Sequence, residues 1–195
     1  METLPPNFIV GLGGSAGSLK SFKEFLDALP PDTGMAFVFV SHIYPEANSQ
    51  LRQILSRRTK MPTIMVTEDT EVAANTVYVI APDTDLYTNG NMLVVSSPTT
   101  RNEQVDIFFT SLAESQGRHA IGIIFSGYDG DGALGCERIK ANGGVTFAQD
   151  GAEVTHMPHE ARLHGFIDFV MLPKDIPAAL KKISEKTIKK IVRLP

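Results

Sequence analysis

The chain contains a single cysteine, Cys136, among its 195 residues. That excludes an internal disulfide and fits a reducing cytosol. Cys136 falls in the helical stretch Ala133 to Ala141, and with no partner thiol it is expected to serve as a buried apolar residue. Positive charge is not in excess either. Lys and Arg number 18 against 22 Asp and Glu, for a net charge of −4 and a pI near 5.7, which argues against binding nucleic acid. Basic residues gather only at Lys181-Lys182 and from Lys186 to Arg193, where Lys189 and Lys190 alternate with isoleucines. This is the pattern of a terminal helix with one solvated face. No apolar run approaches the roughly 18 to 20 residues of a membrane span. The opening METLPPN lacks the basic start and apolar core of a signal peptide. These absences predict a cytoplasmic protein without membrane insertion. There is no internal repeat, low-complexity segment or long linker, and a single domain over residues 1–195 is expected.

What the chain does have is alternation. Short apolar runs at Phe8 to Leu12, Met35 to Val40, Thr63 to Val66, Thr76 to Ile80, Met92 to Val95, Ala120 to Phe125 and Gly144 to Ala148 predict strands. The first, second and sixth are continuously apolar, as strands covered on both faces should be. Helical patterns fall at Leu19 to Leu29, Ser49 to Arg58, Val105 to Ser115, Gly132 to Ala141 and Asp175 to Ser184. In the first of these, Leu19, Phe22, Phe25, Leu26 and Leu29 recur at three- and four-residue spacing on one face. The fold class predicted is α/β: a doubly wound, mostly parallel sheet with helices on both faces. Between Thr63 and Pro98 short strands follow one another without a helix, and Asn89-Gly90-Asn91 is a hairpin signal. That stretch is expected to be a local antiparallel excursion.

The segment Gly11-Leu12-Gly13-Gly14-Ser15-Ala16-Gly17 can be parsed in two ways. From Gly11 it fits the G-x-G-x-x-A of a dinucleotide-binding turn; from Gly13 it fits the G-x-S-x-G that presents a nucleophilic serine. A nucleotide site needs an acidic residue at the end of the second strand to hold the ribose. Here that strand ends in Ser41-His42, and a histidine is the wrong group for ribose and the right one for a general base. Ligands of open α/β sheets bind beyond the carboxyl ends of the strands. Ser15 leaves strand one there and His42 leaves strand two. Ile121 to Phe125 delivers Ser126-Gly127-Tyr128-Asp129-Gly130-Asp131-Gly132 to the same edge. Serine, histidine and aspartate thus converge on one rim, and turn chemistry alone leaves Asp129 and Asp131 as alternative acids. The order Ser, His, Asp differs from the Ser, Asp, His order of the α/β-hydrolases.

From Phe8 to about Leu180 the chain resembles the catalytic domain of the CheB receptor-modifying methylesterases. The matching segments are Val10 to Gly17, Val40-Ser41-His42-Ile43-Tyr44-Pro45, Val77 to Pro82, Val105-Asp106-Ile107-Phe108-Phe109, Ser126 to Gly132 and Met157-Pro158. The resemblance implies that Ser15 is the nucleophile, His42 the base and Asp131 the orienting acid. It further implies an oxyanion hole from the backbone amides of Ala16 and Tyr128. The activity implied is hydrolysis of glutamate γ-methyl esters on methyl-accepting chemoreceptors, together with deamidation of receptor glutamines. No cofactor and no metal is implied. The string Pro31 to Val38 and the Ser126-Gly127 turn look closest to the methylesterase domains of CheB–CheR fusion proteins, and no receiver domain is expected within the chain.

Several positions depart from the family pattern: Ser18 and Tyr128-Asp129 stand where other residues are usual, Ser41 replaces a glutamine, and His156 replaces a glycine before Met157-Pro158. His156, His159 and His164 cluster in sequence, but the spacing of five between His159 and His164 turns them to different faces, so a solvated helix is expected in place of a metal site. Asp131 also has the position of an N-cap for the helix that begins near Gly132. A catalytically degenerate interaction domain of a signalling protein is the alternative to an esterase.

Overall fold

A computed structural model describes residues 4–41, 45–99 and 102–192, with side chains 45–49 and 186–192 set aside. His42 therefore lies outside the described residues. The chain runs β1 (Ile9–Gly14), α1 (Ser18–Ala28), β2 (Ala36–Ser41), α2 (Pro45–Ser56), β3 (Thr63–Val66), β4 (Thr70–Glu71), β5 (Thr76–Ile80), β6 (Asp85–Asn89) and β7 (Met92–Ser96). It continues through α3 (Gln104–Gln116), β8 (Ala120–Ile124), α4 (Ala133–Ala141), β9 (Val145–Gln149), α5 (His156–Leu163), β10 (Phe169–Met171) and α6 (Ile176–Val192). Seven strands form a parallel sheet in the order β10-β9-β8-β1-β2-β5-β3, and β4-β7-β6 form a separate antiparallel sheet. β1 lies at the centre, with later strands added first on its β2 side and then on its β8 side. The crevice of a doubly wound sheet opens where that direction reverses, here at the carboxyl ends of β1 and β8.

The two faces of the sheet are unlike in side-chain size, and the period-two alternation of strands produces the difference. Val10 and Leu12 of β1, Phe37 and Phe39 of β2, and Ile121 and Ile123 of β8 face one core, shared with Phe22 and Phe25 of α1, Leu51 and Leu55 of α2, and Ile176 and Leu180 of α6. The Phe22 ring meets Phe39 and Phe125 edge-on at 5.0 and 5.4 Å between centroids. The opposite face holds Ile9, Ala36, Val38, Val40, Ala120 and Ile124, packed against Val105, Phe108 and Phe109 of α3, Cys136 and Ile139 of α4, and Met157 and Ala161 of α5.

Glycines complete this small-residue face. Gly11 and Gly122 are register partners on β1 and β8. A Cβ on Gly11 would lie 2.6 Å from the Phe109 ring, and one on Gly122 would lie 2.6 Å from Ile139 and 3.0 Å from Phe109. A Cβ on Gly13 would collide with Val105. Gly11 and Gly13 are thus strand residues that let α3 approach the sheet, Gly14 lies against Ser18 and Phe22 of α1, and β1 runs two residues past the Leu12 end of its apolar run. The G-x-G spacing has a packing cause and forms no phosphate cradle.

The stretch from Thr63 to Pro98 corrects the sequence expectation in part. β3 and β5 belong to the main sheet and pair in parallel with each other, although no helix connects them. Only β4, β6 and β7 make the antiparallel excursion. The hairpin is present, with Asn89 paired to Met92 and Gly90 at φ +56 in the turn. Cys136 is fully buried, and loss of solvent holds its thiol well above the ordinary value, as the nearby Asp106 also does. Among the described residues no helix is long and apolar enough to cross a membrane.

Packing of the Phe109 ring over Gly11 yields a stability prediction. Gly11→Ala should cost about 1 to 3 kcal/mol in a urea unfolding series, the usual range for overpacking a filled core. An unchanged midpoint would show that α3 can shift away from β1.

Candidate active site

Ser15 follows β1 directly but does not open α1, which starts only at Ser18. Between them lies a tight turn. The Ser15 carbonyl accepts the Ser18 amide at 3.1 Å and the Ser18 hydroxyl at 2.6 Å. Gly17 holds the N-cap position at φ +76, and a Cβ there would sit 2.6 Å from Ser126 Oγ. Glycine alone fits both the backbone and the space. The Ser15 amide is occupied, donating to the Ser126 carbonyl at 2.9 Å. The next amide, that of Ala16, donates to no acceptor among the described residues and is exposed.

The loop after β8 is fastened to this turn by Ser126, whose side chain is fully buried. Its hydroxyl donates to the Ala16 carbonyl at 2.8 Å and accepts the Val154 amide at 2.9 Å, while its own amide donates to Gln149 Oε1 at 2.9 Å. Gly127 continues the contact. Its amide donates to the Val154 carbonyl at 3.0 Å, its carbonyl accepts the Met157 amide at 3.1 Å, and a Cβ placed on it would lie 3.0 Å from Ser15 Cβ. Tyr128, the following residue, is thereby brought to the Ser15 turn. Its amide has no acceptor among the described residues. Its ring is 55% exposed and meets His156 edge-on at 5.8 Å.

The two aspartates of this loop occupy opposite environments. Asp129 is exposed, adopts φ +62 and, among the described residues, accepts a single long 3.4 Å hydrogen bond from Asn102. Asp131 is 4% exposed. Its Oδ2 accepts the Val105 amide at 2.9 Å and its Oδ1 the Asp106 amide at 2.8 Å. These are first-turn amides of α3, which have no partner inside the helix. Asp131 therefore caps α3, not α4 as its sequence position suggests. The N-cap of α4 is Gly132 at φ +94, with no side-chain hydrogen bond. Glycine is required there because a Cβ would collide with Ile124 and lie 2.8 Å from Val105.

Asp106 returns the exchange: its Oδ1 accepts the Gly135 amide in the first turn of α4 at 2.7 Å. Burial is the largest influence on this carboxyl and pushes its pKa from the ordinary 3.8 to about 6. The Gly135 hydrogen bond opposes that rise, the neighbouring Asp131 charge adds to it, the Gly132 amide opposes it, and Glu103 adds the smallest share.

His42 cannot be placed, but the registers locate the strand end from which it leaves. Gly14 pairs with Ser41, so the residues immediately before Ser15 and His42 are neighbours across β1 and β2. Of the other predicted residues, Ser15 and Ala16 are hydrogen-bonded to Ser126, Gly127 packs against Ser15, Tyr128 follows Gly127 in the chain, and Asp131 sits in the same loop four residues beyond Gly127. Sequence reasoning missed Ser126, Gln149 and Asp106 as supports. Ser126 and Asp106 stand in recognisable segments, but their partners lie 23 to 110 residues away, beyond any local pattern. α5 starts at His156, and Pro158 is its third residue.

The raised Asp106 pKa has a defined sign. The folded state holds this proton more tightly than the unfolded chain, so the contribution to stability is fully present below about pH 4 and is lost as pH rises through about 6. Relative to Asp106→Asn, the wild type should lose stability between pH 4 and 7 in urea titrations. Carboxyl-carbon NMR should give Asp106 a midpoint near 6. A midpoint near 4, with parallel stability curves, would contradict the burial argument.

Comparison with known proteins gives the family. The family model described as CheB methylesterase matches residues 10–180. The protein-glutamate methylesterase FrzG of Myxococcus xanthus is 31% identical over 182 residues, covering 90% of this chain and 54% of that protein. A protein-glutamate methylesterase/protein-glutamine glutaminase of Hydrogenovibrio crunogenus is 28% identical over 191 residues, covering 91% and 50%. The chain thus spans about half the length of these two relatives. The crystal structure of the Thermotoga maritima CheB methylesterase catalytic domain superposes with a TM-score of 0.83 at 24% identity, over 90% of this chain and 98% of that one. The parallel sheet, the rim at β1 and β8 and the match over residues 10–180 agree: the chain belongs to the CheB methylesterase family.

Proposed function

We propose that the chain is a serine hydrolase that demethylates glutamate γ-methyl esters on chemoreceptor or related signalling proteins in the cytoplasm. Deamidation of particular glutamines would be a second reaction of the same site. The observation that supports this best is the fastening of the β1 turn to the β8 loop. The Ser15 amide donates to Ser126 and Gly127 packs against Ser15 Cβ, while the amides of the neighbouring Ala16 and Tyr128 do not donate within the described residues. Two amides beside a serine are what a developing oxyanion requires, and losing one such donor typically costs about 3 kcal/mol.

In this reading His42 takes the proton from Ser15 as Oγ attacks the ester carbonyl carbon. The carbonyl oxygen becomes an oxyanion facing the two amides. The C–O bond to the methoxyl group then breaks, and His42 returns the proton to give methanol and an acyl-enzyme. Water, deprotonated by His42, hydrolyses that ester and restores Ser15. With a glutamine substrate ammonia leaves in place of methanol. Asp131 supplies the fixed negative charge that orients His42 and stabilises its cation.

The test pairs labelling with turnover. A fluorophosphonate probe should label the wild type and not Ser15→Ala, and methanol release from a methylated receptor peptide should fall to background in the variant. Its melting temperature should stay within about 2 °C, because the half-buried hydroxyl makes no hydrogen bond within the described residues. Persistent methanol release from Ser15→Ala would remove the serine from the chemistry.

A further inference from the structure

The Asp106 side chain takes no step in the proposed reaction, yet it joins the two ends of the exchange between α3 and α4. Its backbone amide donates to Asp131 Oδ1 at 2.8 Å, and its side-chain Oδ1 accepts the Gly135 amide at 2.7 Å. Gly135 is four residues beyond Asp131 in the chain, so the hydrogen bonds close a ring: Asp131 carboxylate, Asp106 backbone, Asp106 side chain, Gly135 and the first turn of α4 back to Asp131. The ring sits where the two helices come closest. A Cβ on Gly135 would collide with Cβ of Phe109, one residue row further along α3.

The charge arrangement has no purely stabilising rationale. Asp131 and Glu103 both oppose ionisation of Asp106, burial opposes it more strongly, and the nearby Cys136 thiol is neutral. Two carboxyls side by side in a buried place are unfavourable, and a neutral acceptor could cap α4 at lower cost. What a side-chain acceptor at position 106 adds is geometry. It fixes the start of α4, and hence the residues just after Asp131, to the same backbone unit that holds the Asp131 oxygen.

We propose that Asp106 is a positioning residue for the hydrolysis, setting the direction in which Asp131 presents its carboxylate by tying the start of α4 to the start of α3. The inference rests on the esterase reading for its kinetic consequence, while its structural content stands apart from that reading.

The experiment compares Asp106→Ala with Asp106→Asn in the full chain at temperatures where both are folded. Should Asp106→Ala fail to fold, Asp106→Ser takes its place under the same criteria. On the methylated peptide, Asp106→Ala should lower kcat about 10- to 100-fold with KM within about twofold, the scale expected when a supporting group lets a reacting one move by about 1 Å. Asp106→Asn restores an acceptor for Gly135 and should recover kcat to within about fivefold of wild type, whereas a role in global stability alone would leave kcat per folded molecule unchanged. Hydrogen exchange at the Val105 and Asp106 amides supplies the second readout: it should accelerate at least tenfold in the alanine variant and stay near wild type in the asparagine variant. Wild-type kcat in Asp106→Ala, or unchanged amide exchange, would overturn the proposal. If the wild type shows no Ser15-dependent turnover, the esterase reading fails and amide exchange alone decides whether Asp106 holds Asp131.

Discussion

The first amides of a helix point out of its end with nothing inside the helix to accept them, and in the first turn of α3 Val105 is buried although the N-cap Glu103 is exposed. Val105 is fully buried at that end, so water cannot satisfy its amide. The Asp131 carboxylate does, taking the Val105 and Asp106 amides on separate oxygens. Much of the arrangement follows from this one contact. It anchors the far end of the β8 loop, as Ser126 anchors the near end, so the five residues Gly127 to Asp131 are held between two fixed points. Those residues include Tyr128, next in the chain to the Gly127 that packs against Ser15. The buried charge is tolerated because charge-assisted hydrogen bonds and the positive end of the helix dipole compensate its lost hydration.

The contact is possible only because α3 lies close to the sheet, and size complementarity brings it there. Phe109 occupies the gully over Gly11 and Gly122, and Val105 fills the space beside Gly13 and Gly132. On the other face the strands present Phe37, Phe39 and Phe125 and meet Phe22 and Phe25 of α1. Large residues therefore pack on large ones on the α1 side, while on the α3 side Phe109 and Val105 pack over the glycines of β1 and β8 between aliphatic neighbours. The glycines of Gly11 to Gly17 divide between these duties: Gly11 and Gly13 admit α3, while Gly17 turns the chain at φ +76 so that Ser126 can reach the Ala16 carbonyl.

The layered α/β plan was legible because it rests on local periodicity. Thr63–Val66 and Thr76–Ile80 match the expected strands residue for residue. The expected end of β1 falls two residues early because Gly13 and Gly14 resemble loop; the nearness of Val105 to Gly13 and of Ser18 and Phe22 to Gly14 shows why glycine belongs there. The parallel pairing of β3 with β5 was hidden because a parallel neighbour normally implies a helical crossover, and here β4 takes its place. β6 and β10 were not marked as strands: β6 carries mixed polar residues, and β10 is three residues long with Phe169 and Val170 exposed. At the site, the sequence left Asp129 and Asp131 as rivals. Burial separates them, since Asp129 lies in solvent at a positive φ and Asp131 lies within the α3 end. The partner of Asp131 was misjudged for a physical reason: an acidic residue before a helix reads as that helix's cap, and the amides it actually serves are 25 and 26 residues upstream.

The most direct test of this account compares turnover by Asp131→Asn and Asp129→Asn on one methylated peptide, alongside thermal melts of both. Asparagine at 131 keeps an acceptor for one α3 amide but faces the other with an NH2 group and carries no charge to orient a histidine. It should lose turnover on the order of 10⁴, the scale seen in the Ser-His-Asp triad of serine proteases, and about 1 to 3 kcal/mol of stability. Asparagine at 129, in an exposed left-handed turn, should change turnover by less than about tenfold and stability by under about 0.5 kcal/mol. Crippled turnover in Asp129→Asn beside near-normal turnover in Asp131→Asn would contradict the assignment of the buried carboxylate as the group on which the site depends.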